Sequence, residues 1–164
     1  MFKSKKIIAS LSITSMLVLS TAPAIASDDS SHHEIKKNII GVFGGFTNVD
    51  GHTNGTFGIE YERRFTRQLG VGFIYEHTPN AHHGDGTSIY MGELHLHPWK
   101  ELRLSVGFGI EDVHHEGAHN EDVWRVGAVY DFHIGEIGLA PTINFDRIDG
   151  HTATVFGLTL IKGF

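Results

Sequence analysis

Leu102-Arg103-Leu104-Ser105-Val106-Gly107-Phe108-Gly109-Ile110-Glu111 sets a large apolar side chain at every second position and a small or charged one between. A period of two is the mark of a strand with two unlike faces, because successive side chains point to opposite sides. The pattern recurs on both sides of this stretch. Phe57, Ile59 and Tyr61 oppose Gly58, Glu60, Glu62 and Arg64, while Leu69, Val71, Phe73 and Tyr75 oppose Gly70, Gly72, Ile74 and Glu76. Trp124, Val126, Ala128, Tyr130 and Phe132 oppose Arg125, Gly127, Val129, Asp131 and His133. Further segments lie at Ile39 to Phe46, Ser88 to Leu96, Ile137 to Asp146 and Val155 to Phe164. No helical period interrupts them. Eight such segments predict an all-β fold, an eight-stranded antiparallel up-and-down barrel over residues 37–164.

Alternation alone does not say which face is outside. A soluble carrier barrel would bury the apolar face, whereas a membrane barrel would turn it to lipid. Two features favour the membrane reading. The polar faces use Gly, Ser, Thr, Glu, Asp and Arg and lack Lys, which suits a crowded interior of paired charges better than a solvated wall. The connections also alternate in length. Residues 65–68, 98–101 and 134–136 are tight, whereas residues 48–56, 77–87, 112–121 and 147–152 read as longer polar loops.

The N-terminus agrees with export. Lys3, Lys5 and Lys6 precede an apolar run to Thr21, and Ala24 and Ala26 form an A-x-A cleavage site. Residues 1–26 therefore read as a secretory signal peptide, too short in its apolar part for a spanning anchor, and residues 27–36 as a flexible periplasmic lead-in. The chain has no cysteine, so stability cannot come from disulfides. Its net charge of −6 excludes nucleic acid as the expected partner.

The last segment, Thr154-Val155-Phe156-Gly157-Leu158-Thr159-Leu160-Ile161-Lys162-Gly163-Phe164, places Phe156, Leu158, Leu160 and Phe164 on one face. It resembles the C-terminal strand of the small outer-membrane β-barrel proteins of Gram-negative bacteria, with Lys162 departing from the usual apolar choice. The resemblance implies a monomeric, porin-like barrel in contact with outer-membrane lipid. It also implies that Phe164 acts as the signal read by the barrel-assembly machinery. Tyr61, Phe65, Tyr75, Tyr90, Trp99, Trp124 and Phe132 resemble the aromatic girdles of such barrels.

An eight-stranded barrel has room inside for little more than its own side chains. Glu60, Glu62, Arg64, Glu93, His95, Arg103, Arg125 and Asp131 are expected to form an interior polar network that plugs it, with His97 and His133 assigned to the same network. No His-x-Ser or Gly-x-Ser-x-Gly stretch occurs, so no enzymatic activity is expected.

The 13 His residues are the largest compositional departure. With both termini on the periplasmic side, each longer connection faces outward and carries imidazole: His52 in the first, His77, His82 and His83 in the second, His114, His115 and His119 in the third, His151 in the fourth. Asp50-Gly51-His52-Thr53 recurs as Asp149-Gly150-His151-Thr152, and closure of the barrel would make the two neighbours. Imidazole with carboxylate is a donor set for Zn2+, Cu2+ or Ni2+. His52, His82, His83, His114, His115, His119 and His151 are accordingly the candidate metal ligands. The alternatives are a structural or adhesive surface barrel, a narrow channel without metal binding, and a soluble periplasmic ligand-binding barrel.

Overall fold

The computed structural model describes residues 36–81, 86–113 and 120–164. It is built from antiparallel strands: β1 (Asn38–Val49), β2 (His52–Arg64), β3 (Leu69–Thr78), β4 (Thr87–Leu96), β5 (Leu102–Val113), β6 (Glu121–Tyr130), β7 (Phe132–Ile134), β8 (Ile137–Ile148) and β9 (His151–Gly163). Strands β1 to β5 each pair with the next, β8 pairs with β9, β1 pairs with β9, and β6 and β7 both pair with β8. The sheet therefore closes into a barrel of eight staves. The proposed leader and lead-in lie outside the described residues.

Strands β6 and β7 are two parts of one stave. Val129 faces Thr142 and Phe132 faces Leu139, so the register is unbroken and Tyr130 would face Pro141. Proline has no N–H to give to a ladder, and the pairing lapses at that rung. Asp131 turns its own N–H to the carbonyl of Glu101 on the other side, at 2.7 Å.

Burial settles which face is outside. Val42, Ile59 and Leu160 are 57–61% exposed, whereas Glu62, His95 and Arg125 are 1% exposed. A barrel with isoleucine outside and carboxylate inside is the inverse of a water-soluble one, and only an apolar medium matches its wall. Paired rings run along that wall: Phe46 with Phe156, Tyr75 with Tyr90, and Phe108 with Trp124. Apolar side chains are not absent from the interior. Ile89, Met91, Val123, Ile148 and Ala153 cluster toward the end far from the C-terminus, and Ile39, Val129, Ala140 and Ile161 toward the near end.

The expected contrast in loop length holds only in part. The first and fourth connections are two-residue turns, not long loops, because β1, β2, β8 and β9 run on to Val49, His52, Ile148 and His151. Asp50 and Gly51 have φ of 49° and 84°, and Asp149 and Gly150 have 39° and 86°. Positive φ at both central positions matches the right-handed twist of the strands they join, and Asp-Gly is the pair that adopts it most readily. The polar residues of both stretches had masked the strand extension.

The β1–β9 seam closes tightly at two glycines. A Cβ on Gly45 would strike the Phe156 carbonyl and come within 2.6 Å of the Phe43 ring, and one on Gly157 would reach the Gly44 carbonyl and that ring at 2.8 Å. Phe43, buried on the inner wall, thus lies over both glycines. Gly157→Val should abolish closure, because backbone as well as the ring would have to retreat. The expected outcome is loss of the fast-migrating folded band on unheated SDS gels, with Gly44→Ala, where the added methyl meets nothing within 4 Å, retaining it.

Candidate functional site

Two clusters of charge occupy the barrel interior. In the first, Arg125 on β6 donates from Nη1 and Nη2 to both carboxylate oxygens of Glu76 on β3, at 2.8 and 2.6 Å. Its Nε and Nη2 also donate to the two oxygens of Asp146 on β8, each at 2.7 Å. One guanidinium is thus gripped by two carboxylates from opposite sides of the lumen, in the bidentate geometry that makes such pairs strong. Glu76 and Asp146 lie on the polar faces of their strands but are missing from the network expected from the sequence. The sequence shows which face a residue takes, not how far up the barrel its partner stands.

The second cluster lies toward the near end. Arg103 donates to Glu60 at 2.8 and 3.0 Å and to Glu62 at 3.2 Å. Arg64 Nε donates to Glu62 Oε1 at 3.2 Å, and Arg64 Nη2 stands 3.2 Å from His97 Nδ1. His97 Nε2 lies 2.6 Å from Glu62 Oε1, and His95 Nε2 lies 2.9 Å from Glu93 Oε2. Donor atoms of Glu62, His95 and His97 all fall within 4.8 Å of one another. His95 and His97 were expected to serve only as plug residues, and their convergence on one carboxylate was not foreseen. Asp131 is buried, with one carboxylate oxygen lacking a hydrogen bond. His133 is not part of the plug: it sits at the rim, 55% exposed, 3.3 Å from Asp131.

At the far end, hydroxyls of Thr47, Thr56 and Thr78 form a chain across β1, β2 and β3 at 2.6 and 2.8 Å. The two Asp-Gly-His-Thr turns do meet. His151 Nδ1 lies 3.0 Å from Asp50 Oδ2, joining residues 101 positions apart. Both side chains are well exposed. His52 begins β2 and is exposed, whereas His77 belongs to β3 and not to a loop, half-buried beside Ser88 and Phe57. His82, His83, His114, His115 and His119 lie outside the described residues.

The barrel size, the inverted faces and the filled lumen all point one way. The fold is that of the small outer-membrane β-barrels. The chain is similar in structure to Neisserial surface protein A (TM-score 0.55, 8% identity, covering 77% of this chain and 96% of that one). It is also similar to the N-terminal barrel domain of Pseudomonas aeruginosa OprF (TM-score 0.50, 13% identity, 77% and 98%). A third similar structure is Ail, the attachment invasion locus protein of Yersinia pestis (TM-score 0.50, 14% identity, 77% and 96%). No family model matches the chain, and no curated protein is similar to it in sequence.

Arg125 yields a direct test of the first cluster. Arg125→Leu leaves Glu76 and Asp146 buried without counter-charge and should lower unfolding free energy by about 3–5 kcal/mol. Adding Glu76→Gln and Asp146→Leu to it should restore most of the loss. Urea unfolding of the refolded barrel in detergent micelles reads both changes.

Proposed function

We propose that this chain is a monomeric, non-catalytic outer-membrane barrel that serves as a rigid anchor and captures divalent transition-metal ions at its extracellular mouth. The near end then faces the periplasm and the four far-end connections face outward. The observation that supports this reading best is the Asp50–His151 contact. It puts a carboxylate and an imidazole from opposite ends of the barrel sequence within 3.0 Å at the mouth. Imidazole and carboxylate together suit Zn2+, Cu2+ and Ni2+, and the remaining connections carry more of both. The filled lumen supports placing the activity at the mouth and not along a channel. Arg125 and Arg103 each span the interior between carboxylates, and displacing them would leave desolvated charge behind.

Calorimetric titration of the folded protein with Zn2+ and Cu2+ should show binding whose heat and stoichiometry fall when His52, His82, His83, His114, His115, His119 and His151 are all replaced by Ala. Equal heats from both proteins would refute capture at the mouth. In planar bilayers the protein should give no ion-selective conductance steps, and steps would favour the channel reading instead.

Assembly follows from the closing strand. Phe164 and Asn38 exchange backbone hydrogen bonds at 2.8 and 3.1 Å, so the last residue completes the seam. In this reading its ring is also the element recognised by the assembly machinery. Phe164→Ala should sharply lower the amount of folded barrel in outer membranes while leaving refolding in detergent nearly unchanged.

A further inference from the structure

We infer that Glu62, His95 and His97 form a second divalent-metal site, inside the barrel near its periplasmic end and separate from the mouth. The ligands would be a Glu62 carboxylate oxygen, His95 Nδ1 and His97 Nε2, the donor set of many zinc centres. All three side chains are almost fully buried.

Three further observations point to a ligand there. First, two buried polar atoms at the cluster lack hydrogen bonds: His95 Nδ1, which stands 3.3 Å from Glu62 Oε2, and Glu93 Oε1. Buried polar groups are rarely left so, and an ion coordinated by His95 Nδ1 would satisfy the first. Second, the opposite ring nitrogen of His95 is already held by Glu93 Oε2 at 2.9 Å. A carboxylate behind the imidazole is the outer-shell arrangement that orients a metal-binding histidine and raises its basicity. Third, space has been cleared by glycine. A Cβ on Gly70 would stand 2.5 Å from Glu62 Oε1, and one on Gly72 would stand 2.6 Å from His95 Cε1.

Charge supports the same assignment. Glu60, Glu62, Glu93 and Asp131 face Arg64 and Arg103, so carboxylates outnumber guanidinium groups four to two. A divalent cation offsets that imbalance. Arg103 does not have to leave, since Glu60 holds it by two bonds. Arg64 does have to release His97 Nδ1, which must carry a proton once Nε2 binds metal. Arg64 is the last residue of β2 and its side chain is 17% exposed, so it can swing toward the periplasm and open the way in.

Co2+ is a suitable probe, because low-coordinate imidazole–carboxylate sites give intense visible absorption. The background is the full chain with His32, His33 and the seven mouth histidines replaced by Ala, leaving His77, His95, His97 and His133. Folded in detergent at pH 7.5, it should bind one Co2+ per barrel, displaceable by Zn2+. His95→Gln and His97→Gln should each remove the bands. Glu93→Gln, which keeps all three ligands, should weaken affinity about 10- to 100-fold. Heat-modifiable migration confirms folding of each variant, and Glu93→Gln decides the matter if the histidine variants do not fold. Absence of Co2+ binding in the background protein, or unchanged binding in His97→Gln or Glu93→Gln, would overturn the site. Capture at the mouth fails separately, if removing the mouth histidines changes nothing.

Discussion

Turning the apolar face outward forces every charge on the inner wall to find its counter-charge within the lumen. That constraint governs the molecule. Arg125 shows its strength: a guanidinium with no exposure holds Glu76 and Asp146 at once, tying β3, β6 and β8 across the interior. Such a grip is a weak source of net stability, since desolvation offsets most of the attraction, but a strong source of register. A shift of one residue along any of these strands would carry its charge out to the apolar wall.

The inner wall is accordingly built in levels. Apolar clusters stand beside the ion clusters, with Ile39 paired to Glu62 and Val129 to Arg103 near one end and Ile89 to Glu76 near the other, and a small polar gap lined by Glu60, Glu76, Arg103, Ser105 and Asn144 lies within the lumen. These apolar neighbours lower the local dielectric around the carboxylates and so strengthen each pairing. Where the near-end cluster departs from strict pairing, around His95 and Glu93, the departure concerns donor atoms suited to metal. A region in which a general rule is relaxed is where function is most readily housed.

Much of this was readable from residue order. The two-residue period of Leu102 to Glu111 and its relatives fixes strands, faces and barrel class, because periodicity depends only on local backbone geometry. The reach of β1, β2, β8 and β9 was not readable, since Asn48, Thr53, Asn54 and Thr152 look like loop residues but sit on a wet strand margin. Partner choice was hidden for a different reason. Arg125 faces Asp146 directly on the adjoining strand, but it meets Glu76 through the stagger of strands around the barrel, a quantity that no single segment encodes. The meeting of the two Asp-Gly-His-Thr turns needed only closure, and closure followed from the strand count.

The missing rung between Tyr130 and Pro141 acts as a depth gauge. Hydrocarbon tolerates no unpaired backbone, so a lapse in the ladder has to sit where water or headgroups can reach it. Pro141 lies near the start of β8, and the tilted rings of Tyr130 and Phe132 meet beside it with centres 4.8 Å apart. In a membrane-spanning barrel that level would lie where headgroups or water can reach the lapse. The barrel thus carries, in one proline, a mark of how deeply it sits.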